Sequence, residues 1–199
     1  HKFNYKKRIN LVDNYTKNEL CKKYDWDVNM PIVVIFSIDL TDGIYTNSWR
    51  LFKDNLTWIK ETLNIVKEIN HINWLVKSHP NDVKNKVITS TEKEVLKLSK
   101  HFKNINLFPN DFGNISLPEI ISAAVTADGS VGYEYPSMGI PSIICSESLY
   151  SNRGFNHEAS STEEYKNLLK NADKLKPLSE EQINKAKTFV YIYSVLAKV

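Results

Sequence analysis

Two short segments hold the residues best suited to chemistry. They are Lys77-Ser78-His79-Pro80 and Asp128-Gly129-Ser130-Val131-Gly132-Tyr133-Glu134. The first offers an imidazole beside an ammonium. The second offers a hydroxyl, carboxylates at Asp128 and Glu134, and two glycines that let backbone approach an anion closely. An imidazole, a hydroxyl and exposed N–H groups such as that of Gly132 suit a phosphate. A carboxylate such as Glu134, half a turn into the following helix, suits the paired hydroxyls of a ribose. Each segment follows a run that reads as a buried strand, Asn73-Trp74-Leu75-Val76 or Ala124-Val125-Thr126-Ala127. Parallel sheets bind ligands outside the carboxyl ends of their strands. The two segments are therefore expected to meet at one edge of one sheet. The glycine spacing matches neither the dinucleotide fingerprint nor the P-loop.

Plainer readings stand beside these. A lone histidine is often a structural hydrogen-bonder, and the Gly129–Gly132 stretch equally describes a tight turn with a capping serine and a solvent-facing Glu134. Pro80 is expected to end the strand's pairing and hold the chain extended. If the strand runs to His79, its period of two puts Lys77 and His79 on one face. Asp42-Gly43 falls in a long polar loop after the first strand. Asp42 there serves as a base, a sugar-hydroxyl ligand or simply a turn residue. Glu147, Ser148, Asn152 and Arg153 follow the fifth strand and form no motif.

The elements that must position these groups alternate along the chain. Residues 1–30 form a polar, partly helical lead-in, with a capping box at Thr16-Lys17-Asn18-Glu19. Residues 31–199 form the main domain. Ile32-Val33-Val34-Ile35-Phe36-Ser37 is a continuous apolar, largely β-branched run, as expected of a strand covered on both faces. Phe52, Leu56, Ile59, Leu63 and Val66 recur at spacings of four and three and mark a helix. Further strands are expected at Asn73–Lys77, Ile105–Phe108, near Ala124–Asp128 and at Ser142–Cys145. Helix starts are expected at Thr91, Ser116, Ser161 and Ser179, and a helix from about Gly132 to Met138. Residues 146–160 read as a loop. The pattern predicts an α/β, Rossmann-like parallel sheet of about five strands with flanking helices.

Hydrophobic residues make up 42% and charged residues 25% of the 199, a balance that supports a real core. The formal charge of +3 is spread over helix faces, which argues against nucleic-acid binding and leaves only weak attraction to an anionic membrane leaflet. Cys145 sits in an apolar run and reads as a small core residue, and neither it nor Cys21 belongs to a metal-ligand or disulfide pattern. No metal site is expected, and a reducing cytoplasm fits. No apolar stretch approaches the roughly 20 residues needed to span a bilayer. The start at His1, with no strand before the first helix, reads as part of something longer.

Several stretches together resemble bacterial capsular polysaccharide biosynthesis proteins. These are Ile35-Phe36-Ser37 with the Asp42 loop, Leu51–Asp54 with Trp58, Trp74–Pro80, and Asp128–Glu134 with Gly139-Ile140-Pro141-Ser142-Ile143. Those proteins are glycosyltransferases of the two-domain GT-B type, and the likeness is to their C-terminal, donor-binding half. It covers residues from about 10 to the end. The resemblance implies a donor phosphate at His79 and Ser130, a ribose at Glu134, and a nucleotide-sugar donor linked through CMP or UDP, with no cofactor. It also implies a saccharide acceptor and a separate N-terminal acceptor domain that supplies the general base, so no catalytic residue is assigned here. Lys77, Pro80, Asp128, Gly132 and Asp42 complete the expected binding set. A nucleotide-sugar epimerase of related architecture and a non-catalytic α/β module are the alternatives. The resemblance places the protein in the cytoplasm, at the inner face of the membrane.

Overall fold

A computed structural model describes residues 16–40, 50–84, 90–109 and 116–194. Five of its strands alternate with helices, and a sixth forms where the sequence offers only a loop. The six strands are β1 (Ile32–Phe36), β2 (Asn73–Lys77), β3 (Ile105–Leu107), β4 (Ala123–Val125), β5 (Ser142–Ile144) and β6 (His157–Glu158). They pair in the order β3-β2-β1-β4-β5-β6, every pair parallel. β6 went unread because two residues carry no periodicity. It is set by Ile143 and Ile144 pairing with His157 and Glu158.

Each strand shows one face to each helical layer, because side chains alternate at a period of two. Val33 and Ile35 of β1, with Trp74, Val76, Ile105, Ala123, Val125 and Ile143, form one core. Against it pack α2 (Asn55–Val66), α4 (Thr91–Leu98) and α6 (Thr162–Lys170). Ile32, Val34 and Phe36, with Leu75 and Ala124, face the other way. That face is covered by α1 (Lys17–Tyr24) through Leu20 and Cys21, and by α5 (Val131–Ser137) through Tyr135. The final helix, α7 (Glu180–Ser194), lies along α5 and joins Ile144, Tyr150 and Phe155 in a third cluster through Ala186 and Phe189. Cys145 is buried in the first core, and burial pushes its thiol well up, so it is an inert packing residue.

The helix ends show where capping chemistry was readable. Thr16 and Glu19 form the expected reciprocal box. Ser161 accepts the N–H of Glu164, and Ser179 that of Gln182. Three expectations need correction. Ser90, not Thr91, caps α4 by accepting from Lys93 N–H, which frees buried Thr91 to share a 2.8 Å hydrogen bond with Ser37 at the end of β1. Ser116 makes no cap bond, since its backbone is already helical, and Leu117–Glu119 is only a 3₁₀ turn. Pro80 does not hold an extended chain. It opens a short helix, α3 (Pro80–Lys84), at the first position, where a missing N–H costs nothing. A smaller shift concerns the apolar stripe: α2 starts at Asn55 behind the Asp54 cap, so Phe52 packs on the core from the approach rather than from the helix.

α2 and α6 are stitched together by a buried polar knot. Tyr165, wholly buried, accepts the indole N–H of Trp58 at 3.0 Å and shares a 2.9 Å hydrogen bond with Thr62. Tyr165→Phe keeps the ring and strands the Trp58 donor. The expected cost is about 1–3 kcal/mol, seen as a lower urea midpoint with an unchanged slope.

Candidate functional site

The strand order reverses direction around β1. From β1 the chain steps outward to β2 and β3, then returns to lay β4, β5 and β6 on the opposite side. In open α/β sheets the crevice at such a switch point, outside the strands' carboxyl ends, is where ligands bind. A cleft of about 860 Å³ opens there. β1 contributes Phe36 and the following Ser37, Ile38 and Asp39. β2 contributes Lys77 and the following Ser78, His79 and Pro80. The segment after β4 contributes Thr126, Asp128, Gly129 and Ser130. Glu147 to Tyr150 after β5 close the far side, with Phe189 and Tyr193 of α7.

His79 and Ser130 thus line one cleft, as do Lys77, Pro80 and Asp128. β2 ends at Lys77, so the two-residue period does not extend to His79, and Lys77, Ser78 and His79 all reach the cleft. Lys77 lies over the ring of Phe108 with its Nζ 4.3 Å from the centroid. Glu147 and Ser148 reach the cleft wall, while Asn152 and Arg153 are exposed elsewhere. Asp42 lies outside the described residues.

Two of the expected site residues are placed otherwise. The N–H of Gly132 donates to Gly129 O at 2.9 Å, inside the turn that starts α5, and those of Tyr133 and Glu134 both go to Ser130 O at 3.0 Å. They are spent on the helix rather than presented to a ligand. Glu134 is exposed on α5 and is not part of the cleft wall. Ser130 makes no cap bond and is exposed to the cleft. The glycine at 132 has a packing reason instead. A Cβ there would overlap the phenol of Tyr150, whose hydroxyl donates to Gly129 O at 2.7 Å.

Around this cleft runs a polar network that no motif announced. Arg50 Nη2 donates to Asp128 Oδ2 at 3.0 Å and to Asn55 Oδ1 at 2.9 Å, and its Nε donates to Ser146 at 3.0 Å. Asn55 Nδ2 donates to Asp39 O at 2.7 Å. Asn81 Nδ2 donates to Asp39 Oδ2 at 2.7 Å, and Asn81 N–H donates to His79 Nδ1 at 3.3 Å. Asp128 therefore holds an arginine. The only signals for Asp39 and Asn81 were their places after strands, and Arg50 had none, since single polar residues in loops carry no pattern. An aromatic wall completes the far side. Tyr133 meets Tyr150 edge-on with centroids 5.5 Å apart, and Phe189 stacks on Tyr193 at 5.8 Å. Burial pushes the phenols of Tyr133 and Tyr150 up, so both remain hydrogen-bonding groups rather than bases.

Neither protein-family models nor curated proteins match the chain. Solved structures do. The UDP-GlcNAc 2-epimerase from Neisseria meningitidis, bound to UDP-GlcNAc, aligns at TM-score 0.54 and 13% identity, with 92% of this chain covering 48% of that one. The likeness is one of fold. Two KpsC structures from Thermosulfurimonas dismutans also align. The beta Kdo 2,7 transferase gives 0.48 at 13% identity, with 87% of this chain on 60% of that one. The beta Kdo 2,4 transferase gives 0.49 at 12%, with 85% on 52%. At those scores the transferase alignments carry no further argument. The chain spans 48–60% of the length of the three structures.

Gly132→Ala tests the packing reading. Tyr150 is 2% exposed and wedged among Tyr133, Phe155 and Phe189, so its ring has little room to yield. Overpacking at such a site costs about 1–3 kcal/mol, expected as a lower denaturation midpoint in urea. An unchanged midpoint would mean that the ring moves freely.

Proposed function

We propose that the chain is the nucleotide-sugar-binding half of a GT-B-type glycosyltransferase that builds a bacterial surface polysaccharide. The observation that supports this best is the meeting of His79 and Ser130 in one large cleft at the switch point of a parallel sheet. The fold shared with an epimerase whose structure holds UDP-GlcNAc is consistent with a nucleotide-sugar there. The donor is linked through CMP or UDP, the acceptor is a saccharide, and a separate acceptor-binding domain completes the enzyme and supplies the base. The protein works in the cytoplasm at the membrane's inner face. Among the described residues no helix is long and apolar enough to cross a membrane.

In this mechanism an acceptor hydroxyl attacks the anomeric carbon, the bond from that carbon to the phosphate oxygen breaks, and negative charge develops on the departing phosphate. Donors already in place where charge develops are usually the largest catalytic term. The ring N–H of His79 and the hydroxyl of Ser130 supply them from opposite sides of the switch point. Lys77, on the His79 side, adds positive charge within the same cleft. Pro80 also lines the cleft, and Asp42 belongs to the proposed binding set through the family resemblance alone.

His79→Ala removes one donor to a charged oxygen. Such a bond is worth about 1.5–3 kcal/mol. UDP or CMP affinity measured by calorimetry is expected to fall roughly ten- to a hundredfold, with an unchanged circular dichroism spectrum. Equal affinity in wild type and variant, or no nucleotide binding at all, would sink the reading. The epimerase alternative draws on the fold it shares. Incubating the full-length protein with UDP-GlcNAc and no acceptor separates them, because only an epimerase returns an epimer.

A further inference from the structure

What His79 can offer a ligand depends on which ring nitrogen carries the proton. Nδ1 accepts the backbone N–H of Asn81. A ring nitrogen that accepts has no hydrogen of its own, so Nε2 carries the N–H and is the atom left to donate. The short turn that joins His79 to its donor, the Asn81 N–H, would not hold this arrangement alone, because a five-residue helix such as α3 has little intrinsic stability. Asn81 is anchored from outside, its side-chain amide donating to Asp39 Oδ2 at 2.7 Å. Asp39 is 9% exposed and sits just past β1, the strand that neighbours β2 in the sheet. Its carbonyl takes the Asn55 amide, and Asn55 in turn meets Arg50. The turn that carries His79 is thereby tied across the sheet to the start of α2.

We propose that Asp39 and Asn81 are positioning residues that lock His79 as an Nε2–H donor facing the cleft. A phosphate-bearing nucleotide then meets a donor that is already oriented, and binding spends less on ordering the ring. Without the Asp39 carboxylate the Asn81 amide loses its anchor, the Asn81 N–H drifts from Nδ1, and the ring samples both tautomers. The ligand in this statement rests on the proposed function, whereas the lock itself does not.

Side-chain ¹⁵N spectra of the 199-residue chain at pH 8, without nucleotide, read the tautomer directly. Wild type is expected to show a single His79 tautomer with the proton on Nε2, and Asp39→Ala a mixture. Asp39→Asn is expected to restore the single tautomer, since its amide oxygen still accepts from Asn81. UDP and CMP titrations should follow the spectra, with Kd rising roughly two- to tenfold in Asp39→Ala, the worth of one ordinary hydrogen bond, and returning in Asp39→Asn. A proton on Nδ1 in wild type overturns the proposal. So does an Asp39→Ala variant that keeps its tautomer, or one that changes tautomer with no change in nucleotide affinity. If the tautomer follows Asp39 while wild type binds no nucleotide, the lock stands and the donor-binding reading falls. Should Asp39→Ala fail to fold, Asn81→Ala breaks the same hydrogen bond from the less buried end and gives the same readings.

Discussion

The cleft exists because β1 has a parallel neighbour on each side. Its residues pair in register with Asn73–Lys77 of β2 and, through Val33, Val34 and Ile35, with Ala123–Val125 of β4. All five of its residues are buried, so both layers of helix press on it and it cannot slip by a residue without turning every side chain to the wrong layer. Because the chain leaves β1 in one direction along the sheet and returns through β4 in the other, the connections diverge and leave space between them. His79 is carried to that space by β2 and Ser130 by β4. A slip of either strand against β1 would separate the two groups without disturbing either segment's own conformation.

Strand pairing brings backbone ends together, but side chains at the ends of short strands need further restraint. Arg50 supplies much of it. Its side chain is 12% exposed, and its guanidinium joins Asp128 after β4, Ser146 after β5 and Asn55 in α2. Burying an ion pair is worth little unless further hydrogen bonds satisfy the remaining donors, and an apolar pair of similar volume often serves stability as well. What the arginine adds is a fixed fork geometry that three separate segments must match. Thr126 contributes on a smaller scale by accepting the Gly129 N–H at 3.2 Å, which sets the turn before Ser130.

The sheet was legible in the sequence because its signals are collective. Five apolar residues in a row in β1, and the alternation of strand and helix patterns, survive any single exception. The cleft was legible for the same reason: a ligand edge follows from strand direction alone. Individual positions were less so. Thr91 and Ser90 are both good caps by type, and only the burial of Thr91 against Ser37 decides between them. Glycine at 132 is compatible with anion binding and with close packing, and the side chain that decides, Tyr150, lies eighteen positions on in a loop without periodicity. Arg50, Asp39 and Asn81 gain meaning only from partners brought near by the fold. A sequence pattern records local period, whereas the contacts of Arg50 with Asp128 and Ser146, and of Asn81 with the Asp39 carboxylate, join residues 42 to 96 positions apart.

The same network shapes the electrostatics of the cleft. Arg50 shares its charge with Asp128, while Asp39 and Glu147 bring further carboxylates to the same cleft as Lys77. Such a lining does not draw anions by net charge. Under the proposed function an anion would be held by placed donors, which act at hydrogen-bond range, rather than by a broad positive field, which salt screens over about 10 Å at 0.1 M. Recognition by a few placed donors requires that each point the right way before the ligand arrives. In the proposed function that requirement is what the Asp39–Asn81–His79 chain of hydrogen bonds meets, at an edge that also buries Ser37, Thr126 and Ser146.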